Sequence, residues 1–222
     1  MCGRFALYSS FEAIKEYADI LNEIGKLEAN FNIAPGQIIP IIRAEQNNKI
    51  LEPVKWGLIP FWAKDPKIGV RMINARAETI NEKSSFKAPF RHRRCLIPAN
   101  GFFEWQKNNK QPYYIKLRNR ELFSFAGIWE EWHHPDGSSI RTCAIITTNA
   151  NSAMQNIHDR MPVIFSKENE YKWLFSNQQD ELLNILKPYH SKEMELYPVS
   201  RKVNSYKNNG ASLLQRIKLF SR

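Results

Sequence analysis

Short segments rich in β-branched and aromatic residues follow one another along most of the chain, and turn residues separate them. Such a succession is typical of antiparallel β-sheet. The clearest turn, Pro135-Asp136-Gly137, stands between Trp132 and Ile140. Strands are predicted at Gln37–Arg43, Ile50–Leu58, Val70–Ala75, Arg94–Pro98, Tyr113–Leu117, Leu122–Trp129, Ile140–Thr148, Met161–Phe165 and Leu196–Val199.

Helical patterns are fewer. The segment from Ser9 to Glu12 is typical of a capping box, and apolar residues at helical spacing follow it as far as Leu21, before Gly25. Two later helices are predicted at Glu168–Phe175 and Asp180–Leu186. Because no internal repeat or long linker occurs, residues 1–222 are predicted to form a single α+β domain dominated by antiparallel sheet.

The charge of the chain favours an anionic partner. There are 32 Lys and Arg residues against 22 Asp and Glu, which gives a net charge of +10. Basic clusters bind polyanions by releasing counterions, although charge alone does not identify nucleic acid. The clusters lie at Arg91, Arg93 and Arg94 and at Arg216, Lys218 and Arg222. Residues 204–212 are predicted to be a loose approach to a basic tail of about residues 201–222.

Composition and cysteine usage exclude several classes of protein. With 43% hydrophobic and 12% aromatic residues, the chain is predicted to fold rather than to be disordered. It has no apolar run long enough to span a bilayer and no leader peptide, which predicts no membrane partner and a cytoplasmic location. The odd number of cysteines, without CxxC spacing, predicts reduced thiols and no metal site. The residues behind this prediction are Cys2, Cys95 and Cys143, with His92, His133 and His134 expected to be solvated.

Cys2 directly follows the initiator methionine and becomes the N-terminal residue once that methionine is removed. An N-terminal cysteine carries an α-amine and a thiol on adjacent carbons, with unperturbed pKa values of about 7.7–8.0 and about 8.5. The amine can condense with an aldehyde to an imine, and the thiol can then close a five-membered thiazolidine ring. Taken alone, a cysteine at this position is more often an ordinary second residue. Whether Cys2 is reactive therefore has to be judged from the other motifs of the chain.

Two motifs carry side chains suited to nucleic acid. Trp56-Gly57-Leu58-Ile59-Pro60-Phe61-Trp62 places two tryptophans around a turn, where rings can stack on bases at about 1–3 kcal/mol each. Burial in the core is the alternative for either ring. Asn74, Arg76 and Glu78 alternate with small residues and share one face of an extended segment. The alternative there is a solvated edge with an ordinary Arg–Glu pair.

Glu104 and His158 are candidate proton-transfer groups. Glu104 stands among apolar or small residues within Gly101–Trp105, and such surroundings raise a carboxyl pKa toward neutrality. His158, flanked by Asp159 and Arg160 at a loop-to-strand junction, is placed for proton transfer at neutral pH. The alternatives are a glutamate on the wet face of a strand and a structural histidine.

Together these motifs resemble the SOS response-associated peptidase (SRAP) family. They occur in family order from residue 1 to about residue 165, and Tyr197–Ser200 resembles the late strand of the family. The resembling segments are Met1–Phe5, Phe31–Pro35, Trp56–Trp62, Asn74–Glu78, Cys95–Trp105 and His158–Ile164. The resemblance implies a single SRAP-like domain of antiparallel sheet with a barrel-like core and a few flanking helices.

The resemblance also implies a function: a monomeric, cofactor-free crosslinker that shields abasic sites in single-stranded DNA. By similarity, Cys2 is the nucleophile, Asn74 orients its amine, Glu104 is the acid/base, and His158 assists Schiff-base chemistry and crosslink reversal. Positions that resemble DNA-binding residues of the family are Arg4, Trp56, Trp62, Arg76, Lys87 and Arg160. Lys87 stands where arginine is frequent, which predicts a less directional phosphate contact.

Two alternatives from other classes stay open. Class II glutamine amidotransferases also begin Met-Cys-Gly and use the cysteine to attack an amide, although a surface of such positive charge has no purpose in a glutamine hydrolase. A non-enzymatic single-stranded DNA-binding module would leave Cys2 without a role. The family name further implies a peptidase activity that removes residues before the cysteine, which here means Met1 alone.

Overall fold

The computed structural model describes residues 2–219. Within this range there are twelve β-strands, four α-helices and five short 3₁₀ segments. The strands are β1 (Phe5–Leu7), β2 (Asn30–Ile33), β3 (Ile38–Glu45), β4 (Asn48–Trp56), β5 (Asn74–Arg76), β6 (Arg94–Ala99), β7 (Gly101–Trp105), β8 (Pro112–Leu117), β9 (Phe123–His133), β10 (Ser139–Asn149), β11 (Arg160–Pro162) and β12 (Met194–Pro198). The helices are α1 (Phe11–Ala18), α2 (Ser84–His92), α3 (Lys167–Phe175) and α4 (Gln179–Asn184), and the 3₁₀ segments are Pro66–Arg71, Ala77–Thr79, Ser191–Glu193, Arg201–Asn204 and Ala211–Leu214.

Five strands close into a barrel. Their order is β10-β4-β3-β6-β9, and pairing of β9 with β10 completes the ring. β10 runs parallel to β4 and β5, whereas the other pairings in this sheet are antiparallel. The pairing register places fully buried Ile41, Ile97 and Ile145 on one face of this sheet and fully buried Leu51 and Ile128 on the other. The predicted α+β class, dominated by antiparallel sheet with a barrel-like core, is confirmed.

A second sheet, in the order β12-β8-β7-β1-β2, carries the N-terminal strand. β1 is antiparallel to β7, with Phe5 opposite Phe102 and Ala6 opposite Gly101. The Phe103 amide donates to the Arg4 carbonyl at 2.9 Å, which extends the same register by one residue. One further step places residue 3 opposite residue 104. Strand pairing therefore brings Cys2 beside Glu104.

The predicted hairpin turn and the barrel strands are confirmed with shifts of a few residues. The prediction of a strand at Val70–Ala75 is wrong over its first half, because Pro66–Arg71 forms a 3₁₀ segment and only Asn74–Arg76 joins the sheet. Helix α1 also ends earlier than predicted. Asp19 adopts a left-handed conformation with φ of 53°, and Ile20 then bridges to Lys49, so Leu21 lies exposed beyond the helix.

The prediction of a loose segment at residues 204–212 is wrong. The Asn32 side-chain amide donates to the carbonyls of Ser205 and Asn208, and the Phe31 amide donates to the Asn209 side chain at 2.8 Å. Leu213 is buried as well. Met1 and Arg222, to which the processing and basic-tail predictions refer, lie outside the described residues. Between residues 2 and 219, no helix is long and apolar enough to cross a bilayer.

Candidate active site around Cys2

Cys2 is fully buried and precedes β1 in the core. Its sulfur lies 4.0 Å from the Arg4 carbonyl oxygen, which is the geometry of a weak S–H donor. Burial, and after it the neighbouring Glu104 carboxylate, raises the pKa of the Cys2 thiol to about 12. The thiol is thus held neutral in this structure, and it needs a proton acceptor before it can act as a nucleophile.

Asn74 holds the Cys2 backbone. The Asn74 Nδ2 group donates to the Cys2 carbonyl at 2.8 Å, across 72 residues of sequence. The strand that carries it, β5, is fixed by parallel pairing with β10, where Asn74 stands opposite Ile145. Its Oδ1 atom is buried and accepts no hydrogen bond from residues 2–219. An acceptor of this kind is suited to an amine donor.

Glu104 is a buried carboxylate on β7, only 4% exposed. Its Oε1 atom accepts from the Trp105 amide at 3.1 Å. The pKa of Glu104 is raised above the usual glutamate range, chiefly because burial disfavours the anion and also because of the Asp159 carboxylate. The predicted buried acid/base environment is therefore present, and the alternative of a wet strand face is wrong.

His158 lies two residues before β11, and the Lys107 amide donates to the Ile157 carbonyl at 3.2 Å, which ties this segment to the end of β7. The His158 Nδ1 atom accepts from the Arg160 amide at 3.0 Å, which leaves the proton on Nε2. The Asp159 Oδ1 atom also lies 2.9 Å from Nδ1, a contact that would require a protonated ring. Because burial lowers the pKa of His158, we assign the neutral ring with Nε2–H.

The three arginines predicted to bind phosphate differ in their surroundings. Arg76 is exposed. Arg160 is clasped by Glu78 in a two-point ion pair of 2.6 Å and 2.9 Å, and it also donates to the Thr147 carbonyl at 2.7 Å. Arg4 donates to the Asn32 side chain at 2.8 Å and to the Val203 carbonyl at 2.7 Å. Of the three, Arg76 is the exposed residue, whereas Arg4 and Arg160 are half-buried.

The two tryptophans of the Trp56–Trp62 motif have different roles. Trp56 is 0% exposed, donates from Nε1 to the Ile73 carbonyl at 2.9 Å and packs edge-on against Phe5. The expectation that Trp56 offers a face to DNA is therefore wrong, because core packing covers its ring. Trp62 is 45% exposed beside Phe61, which is 60% exposed. Lys87 is exposed on α2.

Trp56 is among the residues that line a cavity of about 240 Å³. Close contact of two glycines shapes it, since a Cβ on Gly57 would lie 2.7 Å from the Gly69 carbonyl oxygen. Two cations, Lys55 and Lys67, line the cavity together with apolar side chains. No group of three His, Cys, Asp or Glu side chains suited to a metal ion occurs between residues 2 and 219.

The sequence did not predict two features of the site. The alternative given for Arg76 and Glu78 is an ordinary Arg–Glu pair, but Glu78 pairs with Arg160 on β11 instead. Asn32 belongs to the Phe31–Pro35 motif and has no role predicted from the sequence, yet it is buried and joins Arg4 to the C-terminal segment. The signal available is an asparagine between two apolar residues, Phe31 and Ile33, in β2.

The barrel sheet and the second sheet together bring a positioned amide and a buried carboxylate to a buried cysteine at the second residue. The chain matches the sequence model of the family described as SOS response associated peptidase (SRAP) over residues 1–206. The chain therefore belongs to this family.

Similar proteins extend this match along nearly the whole chain. The chain is 47% identical to "Abasic site processing protein YoqW" of Bacillus subtilis (strain 168) over 222 residues, covering 97% of this chain and 99% of YoqW. It is 30% identical to "Abasic site processing protein HMCES" of Rattus norvegicus, covering 94% of this chain and 74% of HMCES. A crystal structure of a protein from Bacteroides thetaiotaomicron has a TM-score of 0.89 at 30% identity, covering 98% of this chain and 100% of that one.

Proposed function

We propose that this chain processes abasic sites in single-stranded DNA by forming a covalent thiazolidine crosslink through Cys2. The observation that carries the proposal is the convergence of Asn74 and Glu104 on the chain end at Cys2, from two different sheets. The names of YoqW and HMCES support the same substrate.

The chemistry begins when Met1 is removed and Cys2 gains a free α-amine. The amine adds to the aldehyde carbon of the ring-opened sugar, and the carbinolamine loses water to give an imine. The sulfur then bonds to the same carbon while the thiol proton ends on nitrogen, so one water is released overall. The Asn74 Oδ1 atom is available to accept from the amine and hold it toward the aldehyde.

Glu104 and His158 supply the proton transfers. Loss of water from the carbinolamine needs a donor, and attack by sulfur needs an acceptor for the thiol proton. A carboxyl group whose pKa is raised by burial can fill both roles near neutrality, whereas the neutral His158 ring offers an Nε2–H donor. Lyase-like reversal of the crosslink and a peptidase activity of the same thiol belong to this proposal, while an ordinary aminopeptidase is sufficient to remove Met1.

The DNA path is proposed to follow the exposed cations and rings. Arg76 and Lys87 offer phosphate contacts, and Trp62 with Phe61 offers a stacking surface. A monomer in the cytoplasm, associated with the nucleoid, is the form in which we expect the protein to act.

Intact mass spectrometry tests the proposal. The protein lacking Met1, incubated with a single-stranded oligonucleotide that contains one abasic site, should gain the oligonucleotide mass minus one water. Peptide mapping should place the bond on Cys2. Cys2→Ala should give no denaturation-stable adduct while it still binds intact single-stranded DNA, because charge and stacking do not need the thiol. A stable adduct of Cys2→Ala at wild-type yield contradicts the thiazolidine.

A further inference from the structure

Asn32 is a buried amide whose side-chain hydrogen bonds all go to Arg4 and to the C-terminal segment. The residue is 1% exposed on β2. Its Oδ1 atom accepts from Arg4, and its Nδ2 group donates to the carbonyls of Ser205 at 2.9 Å and Asn208 at 2.8 Å. A buried amide with donors and acceptor all used specifies one arrangement of its partners, because leaving any of them unpaired is costly.

Arg4 connects this amide to the reactive end of the chain. It lies two residues after Cys2, and its own carbonyl accepts from the Phe103 amide, next to Glu104. Its guanidinium binds the Asn32 side chain and the Val203 carbonyl. The Arg4 guanidinium also lies 5.9 Å from the centre of the Trp105 ring.

The segment 203–209, here called the C-terminal strap, packs on the same strands. Val203 is fully buried in a small cluster with Ala6 and Phe103, so it lies under β1 and β7. The Asn204 Oδ1 atom accepts from the Trp105 indole at 2.8 Å. The strap therefore contacts β7, which carries Glu104, and β1, which follows Cys2.

We infer that Asn32, Arg4 and the C-terminal strap form a brace that positions Cys2 against Glu104, and that Arg4 is a positioning residue rather than a phosphate ligand. The inference rests on the proposed function for its chemical readout. The Arg4 Nη groups donate to the Asn32 side chain and to the Val203 and Asn204 carbonyls, and its Nε atom is buried, so little of the guanidinium is presented to a phosphate. Reacting groups must be held closely, since a displacement of about 1 Å can cost about 10²-fold in rate.

Asn32→Asp tests the brace with a change of a single group. The carboxylate still accepts from Arg4, but both donors to the strap are lost and an oxygen faces the Ser205 and Asn208 carbonyls. Asn22→Asp is the matched control, because the Asn22 amide likewise ties backbone, donating to the Leu51 carbonyl at 2.8 Å and accepting from the Leu51 amide at 2.9 Å. Asn22 belongs to the barrel side of the molecule and to no part of the proposed site.

The decisive measurement separates rate from affinity. With saturating abasic oligonucleotide, Asn32→Asp and Arg4→Gln should form the crosslink about 10²-fold more slowly than wild type. Their dissociation constants for the intact oligonucleotide should stay within about twofold, and Asn22→Asp should match wild type in both. Asn204→Ala changes an exposed side chain and gives a milder variant, expected to be slowed about tenfold, should Asn32→Asp fail to fold.

Two outcomes overturn the inference. The first is an Arg4→Gln protein with weakened affinity and an unchanged saturated rate, since that is the behaviour of a phosphate ligand. The second concerns hydrogen exchange of the Phe103 amide, the donor to the Arg4 carbonyl. Exchange at this amide should be faster in Asn32→Asp than in Asn22→Asp, and equal exchange contradicts the brace. If wild type forms no adduct at all, the proposed function fails, while the exchange comparison still decides the brace.

Discussion

At the scale of single residues, burial sets the chemistry of the site. Glu104 would be an ordinary surface glutamate if β7 faced water, but strand pairing places it beneath the chain end at Cys2. The sequence alone could indicate this environment, because the neighbours of Glu104 are apolar. It could not indicate that Asn74 holds the Cys2 carbonyl, since that contact depends on parallel pairing between β5 and β10.

Glu104→Gln should slow crosslink formation by about 10²–10⁴-fold without unfolding the protein. The stability effect has a defined sign. Because the pKa of Glu104 is raised in the folded state, that state binds more protons, and the free energy of unfolding of wild type falls as pH rises from the unfolded pKa through the folded one. Glutamine removes this fall.

Chemical denaturation between pH 4 and pH 9 checks the sign. The difference in unfolding free energy between Glu104→Gln and wild type should move in favour of the variant as pH rises. A variant that loses stability relative to wild type with rising pH would show that the carboxylate anion is stabilised in the fold. If Glu104→Gln forms the crosslink at the wild-type rate at every pH, Glu104 takes no part in the mechanism.

At the scale of elements, the barrel strands were predictable and the connections were not. Strands such as β9 and β10 have long runs of β-formers around a clear turn, so local pattern and tertiary structure agree. Helix α2 escaped prediction because Pro89 lies inside it, and proline usually argues against a helix interior. The short strand β1 carries too few residues for its pattern to be visible, although the site depends on it.

The Trp56–Trp62 motif, which begins at the last residue of β4, allows packing and DNA binding to be tested separately. Trp56→Ala should lower the free energy of unfolding by about 3–5 kcal/mol, because it empties a core position. Trp62→Ala should leave the melting temperature nearly unchanged and weaken binding to intact single-stranded DNA. Thermal melts and anisotropy titrations on both proteins check this contrast. If Trp62→Ala binds as wild type does, DNA does not stack there.

At the scale of the whole molecule, the properties that matter for the proposed function are the net charge and the position of Cys2 near the start of the chain. The net charge of +10 draws polyanions to the surface, but it does not say which cations contact phosphate. Several of the arginines named from the sequence are already engaged within the fold, as Arg160 is with Glu78. The exposed Arg76 therefore becomes the most direct test of the electrostatic part of binding.

Arg76→Ala should weaken binding to single-stranded DNA and should also reduce its dependence on salt. Removing one phosphate contact lowers the slope of log K against log salt by about 0.7 for a single strand. Titrations at several salt concentrations measure the slope, and Lys187→Ala, an exposed cation after α4, is the charge-matched control. Equal slopes for Arg76→Ala and wild type would contradict a phosphate contact at this position.

A protein that keeps a residue before Cys2 should be inert toward abasic sites. In that state the Cys2 nitrogen is an amide, whose lone pair is delocalised into a carbonyl, so no imine can form. The comparison is between a protein with an uncleavable N-terminal tag and the same protein after the tag is cleaved, with intact mass as the check. Equal crosslink yields would rule out the α-amine as a participant.

The brace also sets an order of events during synthesis. Arg4 and Val203, which share a hydrogen bond, are separated by 199 residues, so Cys2 leaves the ribosome long before the strap that holds it. At about 5–20 residues per second, the interval is roughly 10–40 s. During that time the N-terminus is open to an aminopeptidase, while the arrangement that makes an aminothiol selective does not yet exist. Exposure of the nucleophile thus comes first and its control last.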